Sequence, residues 1–512
     1  LRSSRMNRGR GWTGERPSNG YVARPGNSRG DYGSASSSGS RGTRGNGAAR
    51  GGQRGGQGNT ARKSVARDAE KDAERDQKLF KDRFGRGKDS VARYRRPERR
   101  NILREDASFW FLFFSALKGF ILMLFGGDYS AAAEEESLVS YGERSADKDK
   151  RYVGVTAEAQ TAAVCNRSSS YRNRFRKEFA EFNQQIWRYD CRFSQDWQLY
   201  SKKASLHRRL IGIANIAFAG QKSWLYQVGS SNNGCGAKDG DLDMCLIIFD
   251  ADGTLKQTEQ AFKIENLRHF FEHIRSSRLK LTECAFIDTS TVPIITLRCE
   301  GVCIDISCNC DSGFLGSHLI YHYTRLDDRF PALCLVIKKW AQLEHINDAR
   351  TGTLSSFSIN MLVVHFLQCG VQPPVLPNLQ FLFPKKFSGQ NPLLDIRFWS
   401  SAPSPTFPLN RQSIGELLVG FFDYFASFDF SLCAPRIRMG DVISRSELRQ
   451  QTERYGMYIE DPFGRGNTAR CVQDTADLHR IQAAIKKAHL ALSGNSSPSL
   501  CQLGFKLSDV KY

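Results

Sequence analysis

At 512 residues the chain exceeds the usual size of one domain, and an apolar fraction of 40% is enough for real cores, which excludes a wholly disordered protein. A formal net charge of +20 and a pI near 9.4 point to a polyanionic partner, whether RNA, DNA or an anionic membrane surface. Fourteen cysteines are scattered through segments that read as core, with no signal peptide ahead of them; this argues against a disulfide framework and for reduced thiols in the cytoplasm or nucleus. The first residue is Leu1 and not Met, as expected of a fragment or an incomplete gene translation.

Residues 1–60 are dominated by Gly, Ser and Arg, and eleven arginines face only Glu15 and Asp31. Such a segment buries too little apolar surface to offset its ordering entropy and is predicted to be disordered. It serves either as a mobile cation contacting RNA or as a solubilising tail. Residues 61–170 read as a charged linker, a solvated helix or tether over 61–106 returning to polar composition over 128–170. It is interrupted by the apolar stretch 108–125, in which Lys118 stands near the middle. A membrane anchor, a buried or partner-bound helix and translated non-coding sequence all fit that stretch.

The folded part is expected from about residue 171. Apolar residues recur at helical spacing over 175–200 (Phe179, Phe182, Ile186) and 203–218 (Leu206, Leu210, Ile213, Ile216). Strand signals follow at 224–228, 241–249, 292–298 and 302–306, with a helix at 257–276 between them. The pattern turns helical again from 329 to about 370 and over 411–430. This order predicts an α+β catalytic domain, with a mixed sheet and helices over 203–325, beside a helical domain built from 175–202 and 326–485; 486–512 reads as a C-terminal tail.

The strongest chemical signal is Val228-Gly229-Ser230, then ten residues, then Asp241-Leu242-Asp243-Met244. Gly229 permits close backbone approach to a phosphate, and the Ser230 hydroxyl can donate to it. Asp241 and Asp243 lie two apart on a strand, so both carboxylates take one face while Leu242 and Met244 face inward. Two carboxylates on one face call for a cation, Mg²⁺ or Mn²⁺. Asp239 with Asp241 is the rival pairing, on a turn and not on the alternating strand. Asp305, the one acidic residue in the apolar run 302–307, is the candidate third ligand, since an isolated buried carboxylate demands a cation or a donor. Cys299, Cys303, Cys308 and Cys310 admit a zinc reading, against which stands the lack of a C-x-x-C pair.

This constellation resembles the DNA polymerase β-like nucleotidyltransferase superfamily. Further segments at 229–236 (GSSNNGCG), 336–341 (VIKKWA), 346–349 (INDA), 352–357 (GTLSSF) and 413–418 (SIGELL) look like the terminal RNA nucleotidyltransferases, whose fold adds a PAP-associated helical domain. Asp461-Pro462-Phe463 with Asn467-Thr468-Ala469-Arg470 resembles the cytoplasmic poly(A) polymerases of the germline-development type. The resemblance spans about residues 180–485 and says nothing of 1–170.

The resemblance implies a template-independent transfer of AMP from ATP to RNA 3′ ends, with Asp241, Asp243 and Asp305 holding two catalytic metal ions. It further implies phosphate contacts from Gly229, Ser230, Lys338 and Ser356, stacking of the base on Phe357 where relatives usually carry Tyr, and a ribose contact near Asn309. Relatives that transfer uridylate place a His shortly after the Pro-Phe motif; here 462–467 contains none, and Gln342 stands where some of them carry a second triphosphate lysine. Both departures favour ATP. No separate RNA-recognition module is visible, so a partner protein is expected to supply specificity. The alternatives are a terminal uridylyltransferase, a catalytically inactive RG-rich RNA-binding adaptor and a membrane-tethered enzyme using 108–125.

Overall fold

The computed structural model describes residues 161–510 apart from 162, 257–258, 291, 397, 399, 401–408 and 449–451. The arginine-glycine stretch, the charged segment 61–106 and the apolar stretch 108–125 lie outside the described residues. Among the described residues no helix is long and apolar enough to cross a membrane.

Two long helices precede the sheet: α1 (Arg176–Phe193), whose Phe179, Phe182 and Ile186 pack into the helical core as expected for 175–202, and α2 (Trp197–Ala217), whose Leu206 and Leu210 pack on the sheet. Asp196 separates them by turning extended and accepting a hydrogen bond from the Leu199 amide at 2.9 Å, an N-cap worth about 1 kcal/mol. A boundary at 203 would cut α2 in two; Leu199 instead packs on the same core as Leu206. The buried stripe of α2 is Lys203, Leu206, Leu210 and Ala214. Ile216, expected on that stripe, is 71% exposed, because two residues beyond Ala214 is roughly 200° around a helix of 3.6 residues per turn.

The sheet contains β1 (Ser223–Val228), β2 (Leu242–Ile248), β3 (Leu281–Ile287), β4 (Ile294–Cys299) and β5 (Val302–Cys308) in the order β1-β2-β5-β4-β3. β2 and β5 run parallel and the other neighbours antiparallel. A short helix α3 (Ser230–Asn233) joins β1 to β2, and α4 (Gln260–Arg275) leads to β3. Strand β3 was not foreseen from the sequence: it is an edge strand with Thr282, Glu283, Ala285 and Ile287 exposed, so burial imposes little apolar pattern on it.

The helical half follows as α5 (Asp311–Thr324), α6 (Arg329–Leu343), α7 (Ser356–Cys369), α8 (Ile414–Ala426) and α9 (Thr475–Ser493). Ser413 and Glu416 form a reciprocal capping box at the start of α8, which accounts for the 413–418 segment structurally. Both ends of the described chain depart from expectation. Residues 163–170, read as linker, are helical: Val164 is fully buried beside Gly420, and Arg167 grips Asp423 with bonds of 2.6 and 2.8 Å. One valine and one arginine among polar neighbours carry too little periodicity to show this. The expected tail 486–512 is packed as far as it is described, to residue 510, since α9 runs to Ser493 and Leu500, Leu503, Phe505 and Val510 enter the helical core. Gln185 of α1 accepts from both the Ser499 hydroxyl and the Leu500 amide at 3.0 Å.

On α5, His318 and His322 meet through their Nε2 atoms at 3.2 Å in an apolar setting that includes Phe387. One must donate and the other accept, so the pair is neutral. Burial depresses their pKa values to about 3 and about 2, helped by the nearby Lys386 charge. An unfolded histidine takes up its proton near pH 6.5, so between the two ranges the unfolded chain binds more protons. Stability from this source is complete above pH 6.5 and declines as the pH falls towards 3. The melting temperature should therefore drop from pH 7 to pH 4.5, and His322→Leu should flatten that decline; an unchanged slope contradicts the neutral pair.

Candidate active site

Parallel pairing of β2 with β5 sets Asp243 directly beside Asp305 in register. Asp241 enters β2 two residues before Asp243, so it shares that face. Leu242, Met244, Leu246 and Ile248 point into one core, while Cys245 and Ile247 pack with Val228, Phe314 and Leu315 in another. Asp241 and Asp243 therefore stand at the start of a strand otherwise buried on both sides, with Asp305 beside Asp243 on β5. Asp239, the rival partner, lies exposed on the preceding turn. The cysteines considered for zinc do not gather, because Cys303 and Cys308 project from opposite faces of β5.

Crowding shows in the electrostatics. Burial, then the neighbouring Asp305 and Asp241 charges, raise the Asp243 pKa to about 6, opposed by Lys203 and Lys338. Asp241 is also raised, by burial first and Asp305 second, against a hydrogen bond from the Cys303 thiol and the charge of Lys203. Among the described residues no three His, Cys, Asp or Glu side chains close into a ready-made metal cage. Asp241, Asp243 and Asp305 nonetheless share one face, with Asp243 directly beside Asp305 in the ladder. Hard oxygen donors held together against their own repulsion fit Mg²⁺ or Mn²⁺.

The Gly229-Ser230 turn faces this acidic edge. Gly229 has φ 74°, and a Cβ there would lie 2.8 Å from the Asp243 Cγ, so no other residue fits without displacing that carboxylate. Its amide donates to the Ser317 Oγ at 2.7 Å, and Ser317 in turn donates to the Gly313 carbonyl at 2.6 Å. Thr324 reaches the Asn233 carbonyl at 3.0 Å, so α5 braces the turn from one side. Lys338 of α6 is buried and donates to the Cys235 carbonyl at 2.9 Å. The half-exposed Ser230 hydroxyl makes no hydrogen bond among the described residues and is open to a ligand.

Sequence reasoning passed over the residue beneath the turn. Lys203 is wholly buried, and burial lowers its pKa to about 8 against the charges of Asp241, Asp243 and Asp239. Its signal was a lysine on the apolar stripe of α2. The expected ribose contact at Asn309 is not what the structure provides. Asn309 is buried at φ 43°, its Oδ1 accepting from the Ile248 amide at 2.8 Å and its Nδ2 donating to the Lys256 carbonyl at 2.9 Å. Both ends of the amide brace the end of the sheet, so the side chain is a structural tie.

Across the site, Ser355 caps α7 by accepting from the Ser358 amide at 3.0 Å, leaving Ser356 exposed in the first turn and 3.3 Å from the Asn347 Oδ1. Phe357 is half-buried and packs so closely on Gly316 that a Cβ there would lie 2.9 Å from its Cε2. The Pro-Phe loop is held by Asn467, which accepts from the Ile459 amide at 3.0 Å and donates to the Met457 carbonyl at 2.8 Å. From that loop Arg465 forms a two-point ion pair with Asp311, at the start of α5, with Nη2 to Oδ2 at 2.6 Å. The loop thus meets the end of the aspartate sheet.

The chain is similar to known proteins over both of its halves. Residues 182–325 match the family described as "Poly(A) RNA polymerase, mitochondrial-like, central palm domain", and residues 413–467 match "Cid1 family poly A polymerase". Poly(A) RNA polymerase GLD2-B of Xenopus laevis is 35% identical over 282 residues, covering 54% of this chain and 53% of the relative. Poly(A) RNA polymerase gld-2 homolog A of Drosophila melanogaster is 30% identical over 330 residues, 61% of this chain and 23% of the relative. The chain thus spans about half the length of its vertebrate relatives and less of the fly one. A solved GLD-2/RNP-8 complex superposes with a TM-score of 0.56 at 28% identity over 64% of this chain and 98% of that one. Cid1 in complex with its short product ApU superposes at 0.52 with 25% identity, over 63% and 98%.

The metal reading is testable without any turnover. Mn²⁺ binding followed by electron paramagnetic resonance should weaken as the pH falls through about 6, where Asp243 takes up a proton. Gly229→Ala, which pushes that carboxylate aside, should weaken it by about tenfold or more at pH 7.5. Binding that ignores both pH and the substitution contradicts the assignment.

Proposed function

We propose that this chain, whose residues 182–325 and 413–467 match family models of poly(A) polymerases, is a template-independent adenylyltransferase that adds AMP from ATP to RNA 3′ ends and releases pyrophosphate. The observation that carries this reading is the registered pair Asp243 and Asp305, with Asp241, facing the Gly229-Ser230 turn. Two Mg²⁺ ions held by the three aspartates would supply the charge that stabilises the entering and leaving oxygens. The chain's own groups do the rest. Ser230 seats the phosphates where the lack of a side chain at Gly229 lets them come close, Lys338 sets a positive charge beside Asp243, and Phe357 offers a ring to the base. Asp305 stands on the strand away from the turn, and so on the side from which an RNA 3′-hydroxyl would approach.

Adenine is favoured because the loop after Phe463 has no His; it carries Arg465 tied to Asp311. The similar sequences named above are poly(A) polymerases, although the fold also superposes on a cytoplasmic RNA terminal U-transferase with a TM-score of 0.53 at 25% identity. Cytoplasmic action agrees with the lack of any disulfide among the described residues, which include all fourteen cysteines. A protein partner agrees with the neighbouring GLD-2 having been solved together with RNP-8. With an unstructured oligoribonucleotide and each nucleoside triphosphate in turn, ATP should be incorporated at least about tenfold faster than UTP. Asp305→Ala should stay folded and lose extension altogether. Preferential UTP incorporation would make the chain a uridylyltransferase, and undiminished extension by the variant would remove Asp305 from the mechanism.

A further inference from the structure

Lys203 occupies a position that packing alone would give to an apolar residue. It lies on the buried stripe of α2 between Leu199 and Leu206, with no exposed surface. Burying an ammonium is costly unless its hydrogen bonds are met. The oxygens it meets are all neutral: the Gln195 Oε1 at 2.9 Å, the Ser231 Oγ at 2.7 Å and the Gly240 carbonyl at 2.6 Å, with the Asp241 carbonyl more distant at 3.4 Å. Three close acceptors match the three N–H donors of an ammonium.

The directions of these bonds are fixed by what each partner does elsewhere. Ser231 donates its own proton to the Asp241 carbonyl at 2.6 Å, so towards Lys203 it can only accept. Gln195 uses Nε2 to reach the Ser231 carbonyl at 2.9 Å, so its Oε1 is the end left for the lysine. The backbone amide of Gln195 also donates to the Gly236 carbonyl at 2.8 Å. One ammonium therefore joins the α1–α2 connection, the helix that follows Gly229 and the loop that enters β2. Two of these segments carry the phosphate turn and the first carboxylate.

We propose that Lys203 is a positioning residue for nucleotidyl transfer, a buried clamp that fixes the separation between the Gly229-Ser230 turn and the aspartates at the head of β2. This rests on the function proposed above. Phosphate and metal ligands come from different segments here, so the reacting phosphorus is placed only as well as those segments are tied. A shift of about 1 Å in such an arrangement can cost a hundredfold in rate. The charge itself also acts on Asp241 and Asp243, partly offsetting their mutual repulsion.

The test uses the full chain and the variants Lys203→Met and Ser231→Ala, each checked for folding by thermal denaturation. Lys203→Met should raise amide exchange across 229–241 by about tenfold or more while β4 and α9 keep their protection. Its kcat should fall about a hundredfold, with the KM for ATP within about threefold of the parent, since misplacement spends transition-state and not ground-state interactions. Ser231→Ala, which breaks one arm, should fall between. Unchanged exchange across the turn, or a kcat within about threefold of the parent in folded Lys203→Met, overturns the proposal. Should Lys203→Met fail to fold, Ser231→Ala decides by the same two readouts, parent-like values overturning it. A parent chain that incorporates no AMP would sink the proposed reaction, and turn exchange alone would then decide whether the clamp exists.

Discussion

Three carboxylates forced onto one face by strand geometry are the constraint around which the rest of the site is organised. Asp243 and Asp305 cannot move apart without breaking the β2–β5 ladder, and Asp241 is tied to them by the period of the strand. Burial first, and then their repulsion, raise the pKa of Asp243. The repulsion is relieved within the chain by two lysines from different directions, Lys203 from α2 and Lys338 from α6. Gly229 is required by the same crowding, because the turn passes so close to Asp243 that no side chain fits between them.

The helical half fixes what the sheet alone leaves loose. α5 holds the turn through Ser317 and Thr324, and its first residue, Asp311, takes the ion pair from Arg465 on the Pro-Phe loop. Phe463 itself packs on both the helical core and the cluster beneath Cys245. The Gly229-Ser230 turn and the Pro-Phe loop are thus joined through side chains of a single helix.

Much of this was legible in the sequence where a short-range rule operates. The alternation around Asp241 and Asp243 marks the strand and its polar face, the lone acid in 302–307 marks Asp305, and Gly229 marks a turn. What escaped depends on partners distant in sequence. Lys203 reads as one more charge on a helix until Ser231 and Gly240 are seen around it. Asn309 lies where a ribose ligand was expected, yet its amide is taken up by Ile248 and Lys256. β3 lacks a buried face to pattern it, and 161–170 and 500–510 are held by a few long-range contacts among polar residues. Ile216 fell off its helix stripe by phase alone.

The central claim is that Asp241, Asp243 and Asp305 together hold the metal ions of nucleotidyl transfer. It is tested most directly by anomalous diffraction from crystals grown with Mn²⁺ and a non-hydrolysable ATP analogue. The account predicts manganese peaks coordinated by all three carboxylates, with the triphosphate against Ser230 and Lys338. Manganese or nucleotide ordered elsewhere, with these carboxylates bare, would contradict it.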